Sequence, residues 1–189
     1  MQLAFQLVQT VYWVGLASWF GGAVFIAIAA PLIFRTIREH DPTLPEVLSV
    51  NLDAQHSTLL SSTIMGRLMQ ALNRAALAFA IAVIIGLIGQ AYILRPLGPS
   101  LVQLVIRVSL FAFAAAALFY DWRWLSPRLF FQRQQYIEHA DNPELANAAR
   151  EQFERLSRES VNVLFLQTLL LLGLILFSAN VALPPRIGN

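Results

Sequence analysis

The chain contains no cysteine and no lysine. Without cysteine it offers no disulfide, no thiolate metal ligand and no cysteine nucleophile. Charge of either sign is scarce: 13% of the 189 residues are charged, where a soluble domain carries about 25%. The formal net charge is only +2, so a nucleic-acid partner would find no basic footprint. His40, His56 and His139 are the only histidines, and none falls inside an apolar run, so no axial ligand for a membrane haem is on offer. Beyond the first residue, only Met65 and Met69 supply thioethers, which is little for a copper path. The opening stretch MQLAFQLVQT has no basic residue ahead of its apolar run. A secretory signal needs a basic n-region and a small-residue cleavage site, so we read this stretch as the start of a retained helix.

What the sequence does have is apolar length. Hydrophobic residues make up 57% of the chain, and an uncharged run from Tyr12 to Phe34 ends against Arg35. A bilayer's hydrocarbon core is ~30 Å thick and takes about 20 apolar helical residues to cross. Segments at about 11–34, 75–95, 101–121 and 161–181 meet that requirement. The expected fold is therefore an all-α integral membrane protein. Its single domain has four transmembrane helices in an up-down-up-down bundle with cytoplasmic helical extensions.

Several local signals refine this outline. Pro31 has no N–H to donate and should kink the first helix or tilt its last turn. HDPTLPE, at 40–46, reads as a turn, and 47–73 as helix-compatible sequence that Ser, Thr and Asn residues would interrupt. Asp121, Trp122, Arg123 and Trp124 mark an interface after the third crossing, and the helical pattern continues past Pro127 towards His139. Asn142, Pro143 and Glu144 form a helix start, with Asn as N-cap, Pro first and Glu in the first turn. From there one helix through Ser157 into the fourth crossing is allowed, with Leu145, Ala149, Phe153 and Leu156 near one face. Glu151–Arg155 and Arg155–Glu159 are spaced as i,i+4 ion pairs.

Arginine is unevenly placed. The loops at about 35–74 and 122–160 hold most of it, and the opposite side has only Arg95, Arg107 and Arg186. Basic residues accumulate on the cytoplasmic side, so both long loops should be cytoplasmic and both termini on the outer, periplasmic side of a cell inner membrane.

Arg107 is the one ionisable side chain well inside a crossing, and intramembrane charge is by default a functional hypothesis. Gln103 and Gln90 are its nearest candidate partners, and together the three form a candidate polar site. Snorkelling of Arg107 to the outer headgroups is the first expectation, and an anion-binding site is the alternative. Gly15, Ser18 and Gly22 on the first helix, and Ala78, Ala82 and Gly86 on the second, form small-residue faces suited to close helix packing. His40, His56 and His139 have Asp41, Asp53 and Asp141 near them in sequence, and Asp53 and His56 are spaced for one helical face. No full metal signature such as HExxH is present, and no cofactor is expected.

The first helix has the pattern W-x-G, then W-F-G-G-x-x-F, then proline and phenylalanine before a basic residue. The residues are Trp13, Gly15, Trp19, Gly21, Gly22, Phe25, Pro31 and Phe34. Phe153, Leu156, Ser160 and Asn162 add an F-x-x-L-x-x-x-S pattern followed by Asn. These features resemble the transmembrane-protein-205-like family (domain of unknown function 4149). Ser157 stands where that family's pattern has His, so no role built on the imidazole carries over. The resemblance implies a compact four-crossing bacterial membrane protein and brings no catalytic activity with it.

Three functional expectations follow. The first is a non-enzymatic accessory or structural subunit whose partners are the lipid bilayer and other membrane proteins or itself. The second is a small transporter or channel acting as an oligomer, with Arg107 and Gln90 lining a path. The third is a membrane enzyme with a cytoplasmic His/Asp site.

Overall fold

A computed structural model describes residues 2–40, 56–93, 101–139 and 142–179. All regular structure among them is helical: α1 (Gln2–His40), α2 (His56–Ile93), α3 (Leu101–Tyr120), a π-helical turn (Asp121–Leu125), α4 (Ser126–Glu138) and α5 (Pro143–Ala179). Four helical stretches are long and apolar enough to cross a membrane. At about 1.5 Å per residue, the 39-residue α1 is about 58 Å long. Only 17–39% of each stretch's most apolar window is buried within the bundle. Most of that apolar surface therefore faces outwards, Leu7, Phe25, Ile28, Ile88, Phe113 and Leu176 among it. In water such exposure would cost about 25 cal/mol per Å². In lipid it costs nothing comparable, which is why the chain belongs in a membrane.

The core is a set of heptad-like seams. Tyr12, Leu16, Trp19 and Ala23 line α1, and Ala76, Ala80, Val83 and Leu87 line α2. Phe111, Ala114 and Leu118 of α3 and Leu171 and Leu174 of α5 complete it. Trp19 is fully buried and meets Phe111 edge-on, with ring centroids 6.3 Å apart. A smaller cluster of Ala23, Ile26 and Leu164 packs against Met65, Leu68, Met69 and Leu72.

Element boundaries differ from the sequence reading in instructive places. The second helix does not wait for Arg74; it runs unbroken from His56. Asn73 fails to interrupt it because its amide points into the protein and bonds a side chain there. Helix α1 continues through Pro31, which sits on an exposed face, as far as His40. At Pro127 the structure adjusts just upstream. Proline lacks an N–H, and its ring crowds the carbonyl four residues back, here Arg123. The chain widens into the π-turn, where the Ser126 N–H bonds Asp121 O, five residues back, and α4 restarts with Pro127 in its first turn.

The helix start at Asn142 is as expected: its Oδ1 accepts from the N–H groups of Glu144 (3.2 Å) and Leu145 (3.5 Å). Helix α5 passes through Ser157 without a break, and it packs against α4. Leu145 is half exposed, and Ala146 with Ala149 takes the buried face, so the amphipathic stripe is shifted by one residue at its start. Among the described residues the ion pairs are Arg35–Glu39 (2.8 Å) and Arg150–Glu154 (2.9 Å), not the two pairs built on Arg155.

Candidate functional site: two buried polar layers

Each core seam ends in polar residues that keep its phase. Counting from Leu87 leads to Gln90, from Phe111 back to Arg107, and from Leu174 on to Ser178. In the other direction Ala76 leads to Asn73, Leu118 to Asp121 and Leu164 to Ser160. Core phase forces these side chains inward, and the helices gather them into two layers. Along α3, Arg107 and Asp121 are about 21 Å apart at ~1.5 Å per residue.

The first layer is cationic. Arg107 is only 2% exposed. Its Nε donates to Ser178 Oγ at 3.0 Å, and its Nη2 donates to Gln90 Oε1 at 2.5 Å. The Tyr12 and Ser178 hydroxyls are 2.5 Å apart, and the Tyr12 ring lies under the guanidinium, 5.2 Å from centroid to Cζ. Gln90 Nε2 in turn donates to Gln9 Oε1 at 2.7 Å. One arginine thus draws on α1, α2 and α5. A cation over an aromatic face contributes up to about 2 kcal/mol when desolvated, and hydrogen bonds to charged groups about 1.5–3 kcal/mol each. The guanidinium is turned into the bundle and does not snorkel, because acceptors on α2 and α5 and the Tyr12 ring of α1 meet it there. Of its expected partners, Gln90 bonds it directly. Gln103 is half buried.

The second layer is built around a carboxyl group that the sequence reading does not place in the core. Asp121, read from sequence as an interface marker, is 3% exposed. Asn73 Nδ2 donates to its Oδ2 at 2.5 Å and Ser160 Oγ to its Oδ1 at 2.8 Å. Ser126 Oγ lies 3.4 Å from Oδ2. Neutral donors from α2, α4 and α5 therefore hold a carboxylate at the first residue of the π-turn. Among the described residues neither Arg107 nor Asp121 takes part in a salt bridge. The signal in the sequence was the core phase of Asn73, Asp121 and Ser160, each one turn beyond a buried apolar residue.

Between the layers the core is apolar, with Trp19, Leu171 and Leu174 wholly buried. The exception is Gln167, 4% exposed, whose Nε2 has no hydrogen-bond partner among the described residues. Arg133 Nε on α4 is the other buried side-chain nitrogen without one among the described residues.

The small-residue faces divide. A Cβ added at Gly15 would stand 2.9 Å from Ala82 Cβ, at Gly22 2.7 Å from Leu72 Cδ1, and at Gly86 2.5 Å from Tyr12 Cβ and 2.9 Å from its Cα. These positions, with Gly89 against Val8, let α1 and α2 touch closely. Ser18 is half buried, whereas Ala78 is exposed and outside that contact; the α2 stripe follows Ala82, Gly86 and Gly89. Of the family-pattern residues, Trp19 and Ser160 are buried, Trp13, Phe153 and Leu156 are half buried, and Gly21, Pro31, Phe34 and Asn162 are exposed.

The histidine set does not assemble among the described residues. His40 bonds the Thr36 carbonyl (2.8 Å) and His139 the Gln135 side chain (3.0 Å), each within its own helix. Asp41, Asp53 and Asp141 lie outside the described residues, as does the His56 side chain. No family model, curated protein or solved structure matches the chain.

Proposed function

We propose that this is a non-enzymatic, four-crossing membrane protein that works by association, as an accessory or structural subunit beside other membrane proteins. The observation carrying this reading is how the membrane-zone charges are used. Arg107 and Asp121 each bind neutral side chains of neighbouring helices, and Trp19, Leu171 and Leu174 fill the space between them. That is the pattern of a bundle clamped at two levels. A transport path would want its charges facing a lumen.

The contacts support an up-down-up-down arrangement. Gly22 meets Leu72, Gly15 meets Ala82 and Gly89 meets Val8, so α1 and α2 pair in opposite order. Leu110–Gly173 and Tyr120–Glu159 do the same for α3 and α5. With the arginine distribution, this reading puts both termini outside a bacterial inner membrane and the α4–α5 hairpin in the cytoplasm. Membership of the transmembrane-protein-205-like family belongs to the same proposal and rests on the motif residues.

The outward faces are where association would occur. Gly21 has nothing within 4 Å of a built Cβ, and Phe25, Ile28 and Leu32 are exposed beside it. The absence of native cysteine makes the test direct. Single cysteines or photo-crosslinkers at Gly21 and Ile28 should trap a membrane protein in native membranes, while the same probe at buried Ala23 should not.

One observation favours transport as a second reading: the Gln167 Nε2, without a hydrogen-bond partner among the described residues, lies in the core between the two polar layers. Flux through reconstituted protein that disappears in Arg107→Ala, with the fold retained, would establish it.

A further inference from the structure

Helices α3 and α5 leave a groove open to the surrounding lipid. Phe113, Ala117 and Tyr120 form one wall and Val163, Leu166 and Leu170 the other, around about 300 Å³. From Phe113 to Tyr120 it follows the helix axis for about 10 Å, roughly two-thirds of the ~15 Å that one leaflet gives to a ~30 Å hydrocarbon core. The walls stay apolar until the end of the groove. There the Tyr120 hydroxyl donates to Glu159 Oε1 at 2.6 Å. A carboxylate accepts about four hydrogen bonds, so Glu159 keeps acceptor capacity after Tyr120 is bound. Arg128 is near enough to act electrostatically on Tyr120, with its guanidinium 5.3 Å from the Trp124 ring centroid. Tyr120, Trp122 and Trp124 are residues suited to the level where hydrocarbon meets headgroups. An apolar trough covering about two-thirds of a leaflet thus ends at the Tyr120–Glu159 pair, with the basic Arg128 further along the same side.

We propose that this groove binds a phospholipid with a zwitterionic, primary-amine headgroup of the phosphatidylethanolamine class. One acyl chain lies against Phe113, Ala117, Val163 and Leu166. The ammonium donates to Glu159, and the phosphate faces Arg128. A primary ammonium has three N–H donors, whereas a choline headgroup has none. A purely anionic headgroup would bring its phosphate towards Glu159 without a cation to offset that charge. A transmembrane helix from another chain fits less well, because it would run the whole crossing while the groove ends within one leaflet.

Native mass spectrometry of the intact chain tests this. Protein in mild detergent is equilibrated with equal amounts of phosphatidylethanolamine, phosphatidylcholine and phosphatidylglycerol of one acyl composition. Wild type should retain phosphatidylethanolamine at least several-fold over the other two. Glu159→Gln keeps an acceptor for Tyr120 but removes the charge, and should abolish that preference without changing the unfolding temperature by more than a few degrees. Ala116→Leu, at an exposed position on the same wall, should lower retention of all three lipids. Equal retention of the three by wild type, or an unchanged preference in Glu159→Gln, overturns the proposal. So does a protein dimer whose mass is lost in Ala116→Leu, since a second chain would then occupy the groove.

Discussion

Arg107 donates its Nε–H to Ser178 Oγ across 3.0 Å, and the same oxygen lies 2.5 Å from the Tyr12 hydroxyl. One serine therefore ties α1, α3 and α5 together. Ser178→Ala strands a buried charged donor and should destabilise the protein by about 1–3 kcal/mol. Arg107→Met removes the charge with its desolvation penalty and keeps much of the volume, so its cost should be smaller, within about 1 kcal/mol. Equilibrium unfolding in mixed detergent micelles would rank the two.

Asp121 makes the corresponding prediction for the opposite layer. Asp121→Ala leaves Asn73 and Ser160 without their common acceptor and should cost about 1–3 kcal/mol. Asp121→Asn retains one acceptor oxygen and should lie between that variant and wild type. Equal stability of all three would mean that the carboxylate does not fasten α2 to α5. The same unfolding measurement decides it.

The close approach of α1 and α2 can be probed at single carbon atoms. Gly86→Ala would put a methyl against the Tyr12 backbone, where overpacking costs typically about 1–3 kcal/mol. Gly21→Ala meets nothing within 4 Å and should be neutral or stabilising by up to about 1 kcal/mol, because alanine is the better helix former. Thermal unfolding of the pair tests the interface without touching any polar group.

Gln167 supplies a prediction of opposite sign. Its buried Nε2 has no partner among the described residues, and an unmade buried hydrogen bond costs about 1–3 kcal/mol. Gln167→Leu should therefore raise stability, by about 1 kcal/mol after imperfect packing is allowed for. A loss of stability would show that the amide has a partner in the membrane.

The sequence made some of this legible and left the rest hidden for physical reasons. The apolar runs exposed the spans because bilayer thickness imposes a minimum length on each. Asn142 was readable as a cap because capping is local, depending on residues two and three positions away. Gly15 and Gly86 were readable as contact points because the small-residue period is itself the geometry of helix approach. Arg107 stood out as an intramembrane charge, yet its fate depended on Tyr12 and Ser178, which are distant in sequence. Asp121 was hidden for a related reason. It sits among Trp122, Arg123 and Trp124, which look interfacial, and only its register with Leu118 reveals that it turns inward. The π-turn at 121–125 was latent in Pro127, whose missing N–H disturbs the helix before it.

Association with other membrane proteins would show itself in the native mass of the complex. The protein, tagged at its C-terminus and expressed at its natural level, would be extracted in mild detergent and weighed intact by mass spectrometry. The expected particle is heavier than the 21.1 kDa chain by the mass of at least one different membrane protein, in fixed stoichiometry. A particle of the chain alone, or a symmetric oligomer of it with nothing else bound, would rule out the role of an accessory subunit.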